Sequence, residues 1–193
     1  MKPLPRSFYS RETAIVAREL LGKMLVRLTD HGDIAAKIVE VEAYKGSDDP
    51  ASHAYRGKTS RNQLMFGKAG FTYIYFIYGN HYCLNVTTET ESIPGAVLIR
   101  AVEITRGQEI ARRNRRVEAL KELSNGPGKL TQALNITKAH NGLDLTETKE
   151  LFICDPEVKE SFNTVVTKRV GIKAGREKPW RFYLKDNEFV SRS

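Results

Sequence analysis

The 193-residue sequence contains few cysteines and lacks a long apolar run. Its two cysteines, Cys83 and Cys154, stand far apart and form neither a CxxC nor a Cys–His spacing. These absences exclude a cysteine-based zinc framework and a disulfide scaffold, and they favour a reducing, cytoplasmic location. The sequence has no stretch of about 18 apolar residues and no apolar signal-peptide core near its start. We therefore expect a protein that neither crosses a membrane nor is secreted by that route.

A complete nucleotide-binding loop is also missing. Residues 124–129 (SNGPGK) resemble the end of the GxxxxGK[ST] motif, but Leu123 stands where the first glycine should be and Leu130 where the serine or threonine should be. This mismatch disfavours nucleotide hydrolysis. The backbone N–H groups at a helix start beside Lys129 could still hold a phosphate of a nucleic-acid backbone.

Positive charge exceeds negative charge in this chain. It has 31 lysines and arginines against 23 aspartates and glutamates, a net charge of +8 and a pI of about 9.5. Each phosphate that a lysine or arginine neutralises releases condensed counterions, so a basic surface favours a polyanionic partner. The alternative is a soluble protein that is merely basic. We expect a nucleic acid as the partner.

The strand predicted over Ile34–Tyr44 (IAAKIVEVEAY) changes character towards its end. Its first half is apolar on both faces, and the alternation of side chains then brings Glu40 and Glu42 to the face of Ile34, followed by Tyr44. A carboxylate is costly to bury unless it is paired, hydrogen-bonded or lining a cleft. Both glutamates are therefore candidates for chemistry, and this pattern does not choose between them. The alternative is a strand that emerges into solvent with salt-bridged glutamates.

An aromatic hairpin has the strongest β signal in the chain. It comprises a strand over residues 71–78 (FTYIYFIY), a reversal at residues 79–80 and a partner strand at residues 81–87. Tyr73 and Tyr75 share one face, and Phe76 and Ile77 are expected in the core. Tyr78 has the opposite parity and lies at the tip, where burial is least available.

The remaining elements complete an α+β fold. We expect a helix over residues 10–22, strands over residues 23–29 and 95–104, a helix that Thr105 and Gln108 cap and that continues to Leu123, a short helix near residues 130–134, and short strands within residues 143–154, 163–166 and 180–184. Arg100 interrupts one apolar strand, so its guanidinium must find carboxylates or face a cleft. No repeat or linker divides the sequence. We expect residues 1–193 to form a single domain, with a largely antiparallel, curved β-sheet, flanking helices and a protruding β-hairpin.

An acidic strand end, a tyrosine-rich hairpin and a basic background converge on one chemistry. An enzyme that acts on a base within duplex DNA must extrude that base and hold it by stacking and edge hydrogen bonds. An aromatic wedge can fill the vacated space, and a glutamate can activate a water that attacks the sugar C1′. Three alternatives remain: a metal-dependent nuclease, a non-catalytic nucleic-acid binder with the tyrosines as a stacking platform, and a sugar hydrolase with paired carboxylates. The nuclease would use Glu40, Glu42, Asp48, Asp49 and His53.

Several motifs, in order along the chain, resemble those of the alkyladenine (3-methyladenine) DNA glycosylase family of mammals and some bacteria. They are residues 39–44 (VEVEAY), 49–53 (DPASH), 61–62 (RN), 73–79 (YIYFIYG), Asn85, 98–101 (LIRA), 125–130 (NGPGKL) and 181–183 (RFY). The resemblance implies a monofunctional base-excision-repair enzyme that flips damaged purines out of double-stranded DNA and leaves an abasic site. We expect a reaction that uses water and needs neither a metal nor a cofactor, and we expect a monomer, since a duplex-binding enzyme of this size can work as one.

The resemblance assigns catalytic roles as well. Glu42 matches the general base that activates water, and Arg100 and the carbonyl of Val170 match groups that place this water. Glu40 is left as a structural or hydrogen-bonded neighbour. A cationic alkylated adenine or guanine would leave without a general acid, whereas hypoxanthine or ethenoadenine would need protonation.

Binding roles follow from the same resemblance. The stacking walls around the flipped base match Tyr44, His53 and Tyr75, and the residue that excludes guanine through its 2-amino group matches Asn85. The intercalating residue matches Tyr78, with Asn80 and His81 beside it at the tip, and Arg61 and Lys129 are further expected DNA contacts. The tip sequence Gly-Asn-His departs from the apolar and aromatic residues of mammalian relatives, so its groove contacts are expected to differ.

Overall fold

The computed structural model describes residues 1–77 and 79–191. The α-helices in these residues are α1 (Arg6–Tyr9), α2 (Thr13–Leu20), α3 (Gln108–Arg115), α4 (Leu120–Leu123) and α5 (Pro127–Ala133). The strands are β1 (Met24–Arg27), β2 (Ile34–Tyr44), β3 (Thr72–Ile77), β4 (His81–Thr87), β5 (Ala96–Arg106), β6 (Leu151–Cys154), β7 (Thr164–Thr167) and β8 (Arg181–Leu184). Within the described ranges, no helix is both long and apolar enough to cross a membrane.

These strands form one curved antiparallel sheet. Its order is β3-β4-β5-β2-β1-β6, with β8 paired to both β2 and β7. Strand β2 pairs with β5 along nearly its whole length, and its other edge pairs first with β1 and then with β8. Helix α2 packs on β2 and β5, and α5 packs on β4 and β5. The predicted α+β class with a curved antiparallel sheet is confirmed.

Strand β2 changes faces at a β-bulge. Its pairing with β5 is irregular between Ile38 and Glu40. The residues that this strand contributes to the main core have even numbers through Ile38 and odd numbers from Val39 onward. A bulge inserts one extra residue and so shifts the alternation of side chains. The expectation that Glu40 and Glu42 lie on the face of Ile34 is therefore wrong, and the bulge keeps both carboxylates out of the apolar core.

The aromatic hairpin forms as predicted, but two of its residues are not in the core. Strands β3 and β4 pair Tyr73 with Asn85 and Tyr75 with Cys83. Phe76, expected in the core, is 51% exposed, and Ile77, expected there as well, is only partly buried. Both lie at the end of β3, which is the edge strand of the sheet and has a neighbour on one side only among the described strands. Tyr78, expected at the tip, lies outside the described residues.

The expected helix over residues 105–123 is wrong. Thr105 is still part of β5, and its hydroxyl donates to a β2 carbonyl, so it does not cap a helix. The residue before α3 is Gly107, which has φ 79°. Arg116 takes the left-handed conformation with φ 55° and ends α3, and the separate helix α4 follows.

Candidate active site

A cavity of about 440 Å³ lies between the β3–β4 hairpin, the end of β2, the first half of β5, the start of α5 and residues 170–172. Its volume is in the range of small-molecule sites. Eight of the residues expected at the site line it: Tyr44, His53, Arg61, Tyr75, His81, Asn85, Arg100 and Val170. The tertiary structure therefore brings most of the predicted site residues to one place.

Aromatic rings form one wall of this cavity. The ring centroids of Tyr73 and Tyr75 are 5.5 Å apart, and His53 meets Tyr75 edge to face at 4.5 Å. The Nδ1 of His53 is 2.8 Å from the Tyr73 hydroxyl, so Tyr73 holds the imidazole in place. Asn85 donates from Nδ2 to the Tyr73 carbonyl at 2.9 Å. Tyr73 was not among the expected site residues, although its shared face with Tyr75 was the signal that could have found it.

The aromatic groups of this wall are uncharged near neutral pH. Burial, with a smaller effect of the Arg61 charge, lowers the pKa of His53. Burial raises the pKa of Tyr75 far above its ordinary value. Burial and then the charge of Glu42 raise the pKa of Tyr44. Neutral rings present π faces that attract planar groups, and they attract planar groups with a positive charge most strongly.

Glu42 is fully buried behind the cavity wall. Its Oε1 accepts a hydrogen bond from the Val170 N–H, and its Oε2 accepts one from the Tyr44 hydroxyl, both at 2.7 Å. Arg100 Nη1 lies 3.4 Å from Oε1. These three partners line the cavity, whereas Glu42 is not itself among the described lining residues. Val170 thus lies beside Glu42 and contacts it through its amide, and the expected use of its carbonyl stays a prediction.

Glu40 has a different environment on the same strand. Its Oε1 accepts hydrogen bonds from Arg100 Nε at 2.9 Å, from Arg181 Nε at 2.7 Å and from Ser191 Oγ at 2.9 Å. Its Oε2 accepts one from the Ser191 N–H at 2.7 Å. Four donors fill a carboxylate that offers about four acceptor positions. Glu40 therefore holds Arg100, whose other nitrogen reaches Glu42.

Sequence comparison identifies the family to which this site belongs. Residues 7–188 match the profile of the family described as methylpurine-DNA glycosylase (MPG). The chain belongs to the methylpurine-DNA glycosylase family. This membership confirms the resemblance seen in the motifs and makes the protein a DNA glycosylase, an enzyme of DNA repair.

This glycosylase is similar over nearly its whole length to proteins provisionally named 3-methyladenine DNA glycosylases. It is 50% identical over 189 residues to that of Carboxydothermus hydrogenoformans, which covers 98% of both chains. It is 47% identical over 203 residues to that of Desulfitobacterium hafniense, which covers 99% of both chains. It is 48% identical over 198 residues to that of Methanocella arvoryzae, which covers 100% of this chain and 97% of the relative.

A buried ion pair supports the glycosylase cavity from behind. Arg169 donates to both carboxylate oxygens of Asp49, at 2.6 and 2.7 Å, and both side chains are fully buried. The Arg169 guanidinium also lies over the Tyr44 ring, 4.6 Å from its centroid. Because Arg169 precedes Val170, the pair ties the segment that contacts Glu42 to the loop that follows β2. No local sequence pattern indicates this pair, since its two residues lie so far apart in the chain.

Two of the carboxylates considered for a nuclease are fully engaged in contacts within the protein. Asp49 is bound by Arg169, and Glu40 by two arginines and Ser191. Across residues 1–77 and 79–191, no group of three or more His, Cys, Asp or Glu side chains is placed to hold a metal ion.

The residues expected to contact DNA are distributed over more than one surface. Arg61 and His81 line the cavity. Asn80 is exposed and lines a neighbouring groove. Lys129 donates from Nζ to Asn125 Oδ1 at 2.8 Å and is absent from the described cavity lining. The structure therefore brings Lys129 near the site without placing it in the cavity.

Proposed function

We propose that this glycosylase removes damaged purines from duplex DNA by hydrolysing the N-glycosidic bond. The damaged base rotates out of the duplex into the cavity, and a water activated by Glu42 attacks C1′ of its sugar. The product is an abasic site. One observation carries the proposal: the Glu42 carboxylate is buried behind an aromatic cavity of about 440 Å³ and is held by groups that line it.

Stacking holds the extruded base in this proposal. Tyr44, His53 and Tyr75 are the stacking groups, and their rings are uncharged near neutral pH. An alkylated purine with a positive charge gains cation–π stabilisation from such rings. Asn85 stands at the cavity wall with its Nδ2 held by a backbone carbonyl. A clash of Asn85 with the 2-amino group excludes normal guanine, so the substrates are alkylated adenine and guanine, with hypoxanthine and ethenoadenine as neutral candidates.

In the hydrolytic step, Glu42 accepts a proton from the water as the water oxygen bonds to C1′. The electron pair of the N-glycosidic bond leaves with the purine N9, through a transition state of oxocarbenium character. A cationic purine departs as a neutral base without a general acid, whereas a neutral purine must gain a proton. Arg100 and the Val170 carbonyl place the water. The reaction uses no lysine nucleophile, metal or cofactor and leaves the strand uncleaved.

Residues around the cavity engage the duplex. Tyr78 intercalates, Asn80 and His81 contact the DNA beside it, and Arg61 and Lys129 contribute positive charge. One cavity accommodates one extruded base, so we propose that a monomer is the active form.

A duplex oligonucleotide with one hypoxanthine or one methylated adenine tests this function. It is incubated with the protein and EDTA and then treated with alkali. We expect strand breaks only at the modified position and only after alkali. A panel of alkylated and deaminated bases that yields no abasic site would overturn the proposal. Breaks that form without alkali and disappear with EDTA would indicate the nuclease instead.

The Glu42→Gln variant tests the proposed base. We expect it to bind the modified duplex and to lose excision, because an amide does not take a proton from water. Glu103→Gln is a control, since Glu103 is a partly buried glutamate on β5 whose Oε2 lies 3.3 Å from Lys37 Nζ. It should keep excision. Equal losses in the two variants would contradict the role of Glu42.

A further inference from the structure

A second groove shares His81 with the base cavity. Its volume is about 350 Å³, and it lies between the start of β4, the end of α3 and the end of α5. The lining residues that matter here are Asn80 and His81 at the hairpin, Asn114, Arg115 and Arg116 around the end of α3, and Gln132 on α5. None of the chemical steps of base excision uses this groove.

The groove presents cationic and neutral hydrogen-bond donors. Arg115 and Arg116 stand among amide and hydroxyl side chains, and no acidic residue occurs among the described lining. By contrast, the larger groove beside β1 is lined by four acidic residues together with its lysines and arginines. Guanidinium groups match the geometry of phosphate oxygens. The second groove is therefore suited to an anion of the phosphate type.

Contacts between the helices hold this groove in shape. Asn114 donates from Nδ2 to the Ala133 carbonyl at 2.9 Å and so joins α3 to α5. Gln132 accepts a hydrogen bond from Arg115 Nη1 at its Oε1, and its Nε2 lies 3.3 Å from His81 Nδ1. A line of polar contacts thus runs from Arg115 to the wall of the base cavity. An anion in the groove would lie beside the extruded base.

Arg116 is the exposed cation of the groove. It follows α3 with φ 55° and ψ 43°, a conformation that glycine usually takes after a helix. Such a conformation is strained for a residue with a Cβ, and strained positions concentrate at functional sites. The positive charge is also stabilised by the C-terminal end of the helix dipole.

We infer that this groove binds a phosphodiester group of the DNA strand close to the extruded nucleotide, with Arg116 as the principal contact. The inference rests on the proposed function, since DNA must lie across the hairpin for the groove to meet its backbone. Phosphates of one strand follow one another at about 3.4 Å along the duplex axis. A groove that shares His81 with the base cavity therefore reaches a phosphate within a few nucleotides of the damaged base.

The salt dependence of duplex binding tests this inference. The protein and its Arg116→Gln variant are titrated with a fluorescent undamaged duplex in a series of KCl concentrations. Loss of one phosphate contact lowers the magnitude of the slope of log affinity against log salt by about 0.9. The ratio of wild-type to variant affinity should therefore shrink about threefold between about 50 and 200 mM salt. Arg116→Lys should keep most of the slope.

Arg106→Gln is the matched control for the loss of charge. Arg106 ends β5, its Nη2 is 3.6 Å from an oxygen of Asp33, and it lines the groove beside β1. We expect the wild-type slope in this variant. Equal slopes in wild type and Arg116→Gln, or equal decreases in the two glutamine variants, would overturn the inference.

A scan with single neutral methylphosphonate linkages locates the contact. These linkages are placed one at a time around a hypoxanthine, and one nearby position should weaken binding by wild type but leave Arg116→Gln unaffected. If no position behaves in this way, the inference is overturned. Single-turnover excision at saturating protein should be unchanged in the control Arg106→Gln. If the wild-type protein excises nothing, the proposed function fails, while the salt slopes still test the phosphate contact in the groove. Normal excision together with equal slopes would overturn the phosphate contact alone.

Discussion

The Glu40→Gln substitution removes the charge from a fully buried carboxylate that accepts hydrogen bonds from Arg100, Arg181 and Ser191. The new amide nitrogen is itself a donor, so it faces groups that also donate. Two guanidinium groups, with side chains only 9% and 8% exposed, then lose the carboxylate that they share. Breaking a buried ion pair by removing one partner costs about 3–5 kcal/mol.

This loss should be visible as a lower melting temperature. For a chain of this size, about 3–5 kcal/mol corresponds to a decrease of roughly 6–20 °C. Glu42→Gln is the matched comparison, because Glu42 accepts two short hydrogen bonds and its partner Arg100 would keep Glu40. We expect Glu42→Gln to melt well above Glu40→Gln, as followed by circular dichroism at pH 7. A Glu40→Gln protein that melts no lower than Glu42→Gln would refute the reasoning.

Further outcomes are expected from titration and from the buried ion pair. The pKa of His53 in the folded state lies below its ordinary value of 6.5, so the unfolded chain takes up the proton first and the free energy of unfolding falls as the pH drops below about 6.5. As the pH falls over the same range, Glu42→Gln should lose affinity for a duplex with a cationic methylated purine, and its affinity for a duplex with hypoxanthine should fall much less. Equal pH profiles for the two duplexes would contradict a neutral His53 in the cavity wall. Arg61→Gln should raise the pKa of His53, so the loss of affinity for the cationic purine should then begin at a higher pH. Arg169→Lys keeps a charge but loses the bidentate contact with Asp49, so single-turnover excision should slow by about 10- to 100-fold with little change in duplex affinity; an unchanged rate would show that the pair does not position the site.

Much of the fold followed from local patterns. The strand Ile34–Tyr44 has the bounds that its apolar pattern predicts, and the hairpin of β3 and β4 follows from a β-prone aromatic run, a Gly-Asn reversal and a second alternating run. These signals are reliable because turn chemistry and side-chain alternation act between neighbours in the chain. The antiparallel sheet then follows from short connections between such strands.

The local errors have one physical origin. Thr105 has the residue type of a helix cap, but β5 continues through it and a β2 carbonyl accepts its hydroxyl. The bulge after Ile38 is likewise set by pairing with β5 rather than by the residues of β2 themselves. In each case a contact with another strand outweighed a local preference. Sequence patterns do not contain that contact.

The sequence by itself determined the residue types of the site, the strand and the hairpin that carry them, and the basic charge that favours DNA. Only the tertiary structure decided which partners surround each of the two glutamates. Glu40 is filled by donors from β5, β8 and the end of the chain, whereas Glu42 lies behind Tyr44, Arg100 and Val170 at the cavity wall. The physical reason is that burial and hydrogen-bond partners set what a carboxylate can do, and these partners come from segments far apart in the chain.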